Sequence, residues 1–315
     1  MKSPARSSIL AALFAAVTLS IQSPAQADSF GTSGNEFTID FVNIGNAGNA
    51  ADTTGYGAVP YEYRASSYEI TQNAITKATA SGMANVTAGP WTGNQPAANL
   101  NWYEAAAFVN FLNTSSGKTA AYDLSWSGTA WSMELWSSDQ AWTAGGTNLY
   151  RNKDAYYFLP SENEWYKAAY YKGGGTNAGY WLYPTASSSV PTAVASGTNA
   201  GSAVYNGGAV TNPAAVTFAG GLSPYGTMGQ GGNVFEMTES AFARTNSSPS
   251  ENRALRGGFW SSSEFNLRSS VRDGGSPTLD ASVIGFRVAS VPEPSTYALL
   301  AMTAAGALWM TRRRR

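Results

Sequence analysis

None of the 315 residues is a cysteine. A fold built from this chain has no disulfide to constrain it, so packing must hold it, with bound ions as the only outside help. Ten tryptophans and 33 glycines accompany that absence. Disordered segments are poor in aromatics, so the tryptophans point to a packed domain. The glycines point to many turns.

Both ends read as targeting segments rather than fold. Lys2 and Arg6 precede an apolar run from Ile9 to Ile21, and Ala25-Gln26-Ala27 follows as a small-x-small cleavage pattern. This order predicts a signal peptide over 1–27, with Asp28 first in the mature chain. The alternative, a short membrane anchor, is disfavoured by the length of the run. At the other end Val291-Pro292-Glu293-Pro294-Ser295 leads into an apolar stretch from Tyr297 to Met310, and then Arg312 to Arg315. As a helix that stretch reaches about 21 Å, marginal against a bilayer core of about 30 Å, and taken alone it predicts a short transmembrane helix acting as a weak tail anchor. The arginines would hold their side in the cytoplasm.

Between the ends, residues 28–290 are enough for one large domain. Of the 19 Lys and Arg, Lys2, Arg6 and Arg312 to Arg315 lie in the ends, which leaves 13; of the 20 Asp and Glu only Glu293 does, which leaves 19. The domain's net charge is therefore −6, which argues against nucleic acid as a partner.

Phe37 to Val42 alternate apolar and polar, which predicts a strand. Residues 43–60 read as loop, and Tyr61 to Thr71 as a strand followed by a short helix. A helix begins after Asn101, with Glu104 at capping-box spacing and Trp102, Ala105, Val109 and Leu112 on one face. It ends by Asn113 and Gly117. Residues 115–154 carry Trp126, Trp131, Trp136 and Trp142, and read as an irregular layer or one hairpin. Another helix follows Leu159-Pro160, capped by Ser161 with Glu164, burying Trp165, Ala168 and Ala169, and stopped by Gly173 to Gly175. Residues 174–230 read as loop; a loop this long is usually functional or held by ions. Strands are expected at 234–237, 254–259, 266–271 and 285–289. The class is α+β with a large share of loop.

Six motifs stand in order: Tyr68-Glu69-Ile70-Thr71; Pro96-x5-Trp102-Tyr103-Glu104-Ala105; Leu159-Pro160-Ser161-Glu162-x-Glu164-Trp165; Gly232-Asn233-Val234-Phe235-Glu236; Arg253-x2-Arg256-Gly257-Gly258-Phe259-Trp260; and Gly285-Phe286-Arg287-Val288-Ala289. The series, over about residues 37–290, resembles the formylglycine-generating-enzyme (sulfatase-modifying factor) family, which implies a loop-rich variant of the C-type-lectin-like fold. The tail 291–315 resembles the PEP-CTERM sorting signal. That resemblance implies an exosortase-type protease as partner and export to the envelope, cell surface or matrix of a Gram-negative bacterium.

The resemblance also implies a structural Ca2+ held by the carbonyls of Gly232 and Val234 and the side chain of Glu236. Oxygen ligands in that pattern suit the ion; the alternative is a strand with a solvated Glu. Asn199 and Asn206 are candidate counterparts for a second calcium site. Oxygen-dependent members hold copper through two cysteines after the Gly-Gly-Ser-Tyr/Trp motif, where soft Cu(I) needs thiolates. Here Ser262 falls near the first of those positions. Iron-dependent members use histidines, and the chain has none. No copper or iron is therefore expected, and Ser-His-Asp and Cys-His catalysis fall with them. Glu162/Glu164 and Glu236/Glu239 offer no compelling carboxylate pair for glycoside hydrolysis.

The sequence thus leans away from an enzyme and toward an envelope or matrix protein that binds an exopolysaccharide or a surface protein through its late loops. The candidate ligand residues are Trp260, Ser262, Glu264, Asn266, Arg268 and Arg272, flanked by Ser263 and Asp273. Trp with Asn, Ser and Arg can stack on a sugar or pair with an anionic glycan. An ordinary polar surface with Arg268 and Arg272 in structural salt bridges is the bland alternative. A family enzyme with atypical ligands, a passive scaffold and a target of a diversity-generating retroelement remain the competing readings.

Overall fold

The structure is a computed structural model that describes residues 26–175, 178–206 and 210–292. Its main sheet has five strands in the order Gln26–Phe30, Phe37–Ile44, Tyr63–Ser66, Ala289–Ser290 and Tyr157–Phe158, each pairing antiparallel. The Phe37–Ile44 strand buries Phe37, Ile39, Phe41 and Ile44, the alternation that the sequence predicts. Gln26 and Ala27, the last residues of the expected signal peptide, pair with Phe41 and Asp40. Next to them Asp28 forms an ion pair with buried Arg64 at 2.6 Å. Residues 1–25 and the expected apolar anchor at 297–310 lie outside the described residues. Among the described residues no helix is long and apolar enough to cross a membrane.

Three α-helices pack on this sheet and on its neighbour. Helix α1 is Gln72–Ala80, capped by the Thr71 hydroxyl. Helix α2, Trp102–Ser115, carries the expected capping box: Asn101 Oδ1 accepts from the Glu104 amide at 3.1 Å, and Glu104 accepts from the Asn101 amide at 2.9 Å. It buries Trp102, Ala105, Phe108, Val109 and Leu112. Its buried Asn113 also clamps the Tyr157–Phe158 strand, donating to the Tyr157 carbonyl at 2.8 Å and accepting the amides of Tyr156 and Tyr157. Helix α3, Glu162–Tyr170, has the second capping box, on Ser161 and Glu164.

Residues 115–154 hold two hairpins, where one at most was expected: Asp123–Trp126 with Trp131–Glu134, and Ala141–Trp142 with Asn148–Asn152. Trp126 and Trp131 are cross-strand partners with ring centroids 5.3 Å apart. Such a pair stabilises a short ladder that alternation alone does not reveal.

A second sheet runs Asp273–Gly275, Arg253–Arg256, Phe235–Ala241, Ile284–Gly285. The strand expected over 254–259 stops at Arg256, because Gly257 takes φ +95 and a Cβ there would stand 2.7 Å from the Gln230 carbonyl oxygen. No strand forms over 266–271. A 3-10 turn occupies Glu264–Leu267 instead, and the Ser269 and Val271 carbonyls accept from the Arg256 guanidinium at 2.9 and 2.7 Å. Nor is 285–289 one strand: Ile284–Gly285 joins the second sheet and Ala289–Ser290 the first, with buried Phe286, Arg287 and Val288 crossing between them. The described residues of 174–230 are mostly irregular, with a short parallel pair at Thr192–Ala193 and Ser202–Ala203. Buried Tyr183, Tyr205 and Leu267 form a small cluster that pins this region to the late loops.

Candidate functional site

Five of the six late-loop residues share one surface segment. Trp260 is half-buried against the Val204, Val210 and Ala214 cluster, and its indole nitrogen finds no hydrogen-bond partner among the described residues. Ser262 is buried; its Oγ accepts the Phe259 amide at 3.0 Å and its carbonyl accepts the Asn206 amide at 2.7 Å. Its hydroxyl thus ties a turn at the place where the resemblance puts a thiolate. Glu264 opens the 3-10 turn, half-exposed, and Asn266 meets the Ser263 hydroxyl at 3.5 Å. Arg268 donates to the Tyr183 hydroxyl at 3.1 Å and lies 5.5 Å over the ring of Phe265, which is 54% exposed.

Arg272 goes elsewhere. It donates to both oxygens of buried Glu162, at 2.8 and 2.7 Å, and to the Phe242 carbonyl. Arg256 also donates to Glu162, at 2.7 Å. Arg272 is therefore the structural ion pair of the bland alternative.

Glu236, the carboxylate expected on calcium, is buried and receives Arg287 at 2.6 and 2.7 Å and the Trp165 indole N–H at 2.8 Å. A calcium ion needs that carboxylate's lone pairs aimed at it, and would sit against a guanidinium of the same sign. As arranged, Gly232, Val234 and Glu236 do not fit the ion. Gly232 and Val234 are themselves buried. The Asn199 carbonyl accepts the amide and hydroxyl of Ser202, and Asn206 donates its amide to Ser262. Beside Glu236, burial and then the Glu236 charge hold the Glu69 carboxyl well above its ordinary range, while Asn233 donates to both its oxygens. Among the described residues no group of three or more His, Cys, Asp or Glu is placed to hold a metal ion.

A concavity is lined by a different set of residues. A cavity of about 310 Å³ opens between the loop at 55–61, the hairpin at 141–152, the start of α3 and the end of the Phe235–Ala241 strand. Beneath it Arg151 is buried between two carboxylates, 2.8 Å from Glu164 and 2.7 Å from Glu239. Tyr61 donates to Glu164, and Tyr122 and Asn148 donate to Glu239. Burial pushes both carboxyls up; Arg151 reverses that for Glu164, which ends below its ordinary value, and offsets it only in part for Glu239, which ends above. The Arg151 guanidinium also stacks 3.7 Å over the Phe158 ring and 5.2 Å from Trp142. Sequence reasoning missed this cavity. Ser161-Glu162-x-Glu164 reads as a helix start, which it is, and nothing local marks the same carboxylates as arginine partners.

The family model for the sulfatase-modifying factor enzyme 1-like domain matches residues 24–291. The chain belongs to this family. A model of the PEP-CTERM protein-sorting motif matches residues 290–315. The sulfatase-modifying-factor domain is thus followed by a tag that implies export, envelope association and recognition by exosortase-type sorting machinery.

Solved structures show the same formylglycine-generating-enzyme variant of the C-type-lectin-like fold. Treponema denticola variable protein 1 is 22% identical with a TM-score of 0.54, covering 84% of this chain and 99% of its own. CarF is 18% identical with a TM-score of 0.56, covering 81% and 99%. PvdO from Pseudomonas aeruginosa is 14% identical with a TM-score of 0.50, covering 84% and 98%. No curated protein matches the chain. At these identities the likeness speaks for fold alone, so what this sulfatase-modifying-factor domain does rests on its own residues.

Proposed function

We propose that this is a non-catalytic, exported envelope protein that binds a glycan or protein ligand through its late loops. One observation carries the reading. Where the family's copper enzymes are expected to place a thiolate, Ser262 is buried and its hydroxyl is engaged with the Phe259 amide. Beside it the loop presents Phe265, 54% exposed, with Arg268 over its ring. An exposed aromatic backed by a cation, with Glu264 and Asn266 at its edge, is an anchor for recognition rather than a centre for oxygen chemistry.

The sorting tag supplies the setting. A protein sent to the envelope and cut from its tail meets surface polysaccharide first, which makes exopolysaccharide the leading ligand. Pull-down with the producing cells' own exopolysaccharide tests the reading. The parent protein co-sediments with the polymer, and a Phe265→Ala, Arg268→Ala double variant stays in solution while keeping its melting temperature. Equal retention of parent and variant would remove the late loops from the account.

A further inference from the structure

The cavity over Arg151 has an uneven set of hydrogen-bonding groups. All the negative charge around it is spoken for: Glu164 and Glu239 by Arg151 and its neighbours, Glu162 by Arg256 and Arg272. Several side-chain donors are not. The Ser161 and Ser240 hydroxyl oxygens each accept a backbone amide, from Glu164 and Glu162, which leaves both O–H hydrogens without a partner among the described residues. Asn163 accepts the Gly57 amide through Oδ1, and its Nδ2 is likewise unspent. Among the described residues Arg244 makes no ion pair; its guanidinium donates one hydrogen bond, at 3.2 Å to the Gly55 carbonyl, and lies 3.7 Å over the Tyr56 ring. Its remaining N–H groups stand exposed at the rim.

A cavity with unspent donors and one unspent positive charge calls for a ligand rich in acceptors and negatively charged. Aromatic rings frame it: Trp142 and Tyr61 meet edge to face at 5.3 Å along one wall. Rings of this kind pack against the C–H face of a sugar while the polar groups around them take its oxygens. The volume of about 310 Å³ lies at the small end of ligand sites, which run from about 300 to 1,000 Å³, so the fit is to a single ring-sized unit. The geometry points to a hexuronate, free or at the end of an acidic polysaccharide, with its carboxylate on Arg244 and its hydroxyls on Ser161, Ser240 and Asn163. The ion pairs beneath hold these donors in place; no bond is made or broken.

Titration calorimetry on the full chain tests this with glucuronate, glucose, inorganic phosphate and a glucuronate oligomer as probes. Glucuronate should bind at least tenfold tighter than glucose or phosphate. Arg244→Gln should weaken glucuronate at least tenfold, and Arg244→Lys, which keeps the charge, should recover most of that loss. Lys153→Gln removes an exposed cation outside the cavity lining and should change nothing. The oligomer separates the sources: tighter binding than the monomer assigns the site to a chain end, and equal binding to the free sugar acid. Glucose or phosphate binding as well as glucuronate overturns the proposal, as does an Arg244→Gln protein with the parent's affinity. A protein that ignores glucuronate but still sediments with exopolysaccharide loses this site and keeps the late-loop function.

Discussion

Two regions of the molecule treat charge in opposite ways. Below the cavity, Arg151, Glu164 and Glu239 are buried and each side chain's polar atoms meet the others or a Tyr, Asn or backbone partner. On the late-loop face, Arg268 touches a tyrosine hydroxyl and a solvent-facing phenylalanine ring. Removing Arg151 from the first arrangement strands two carboxylates in the interior. The second can be rewritten at little cost to the fold. In a chain without cysteine, buried arginine–carboxylate clusters thus tie distant segments together.

Breaking the buried side of this contrast should give the largest effect. Arg151→Met leaves Glu164 and Glu239 buried without their cation, and should cost about 3–5 kcal/mol, read as a fall in the denaturant midpoint. A loss below about 1 kcal/mol would place the cluster among surface pairs and erase the distinction. Asn113→Ala strands the Tyr157 carbonyl and the amides of Tyr156 and Tyr157, at about 1–3 kcal/mol, by the same measurement. Ser161→Ala removes the α3 cap and should cost about 1 kcal/mol.

Lys167 sharpens the comparison through pH. Burial lowers its ammonium to about 8 from 10.5, with Glu62 and Glu164 offsetting this in part. Below pH 8 it is charged in both folded and unfolded states, and the fold bears the burial cost. From about 8 up to 10.5 the folded state binds fewer protons than the unfolded one, so this group's contribution to stability rises with pH. The stability difference between the parent and Lys167→Met should therefore shift in the parent's favour across that window and stay flat from pH 6 to 7.5. The smallest effect on stability belongs to Phe265→Ala with Arg268→Ala, within about 0.5 kcal/mol.

What could be read from the sequence was whatever is local. Both capping boxes are complete within four residues, and α2 and α3 begin where Asn101 and Ser161 say they do. The Phe37–Ile44 strand declares itself by alternation. Most of the failures are long-range. Residues 266–271 look extended, but Arg256 takes the Ser269 and Val271 carbonyls that a ladder would use. Arg272 sits among the candidate ligand residues in sequence, yet Glu162, 110 positions away, claims it. Glu236 has the spacing of a calcium ligand, and Arg287 occupies it from 51 residues on. The cavity is assembled from separate segments, two of which read as featureless loop, so no single stretch announces it.

Native mass spectrometry of the protein, purified from its producing cells without chelator, puts the central claim to the most direct test. If guanidinium groups hold the buried carboxylates and Ser262 serves only a turn, the folded ions will carry the mass of the polypeptide with no metal added. Stoichiometric copper, iron or calcium on those ions would contradict it.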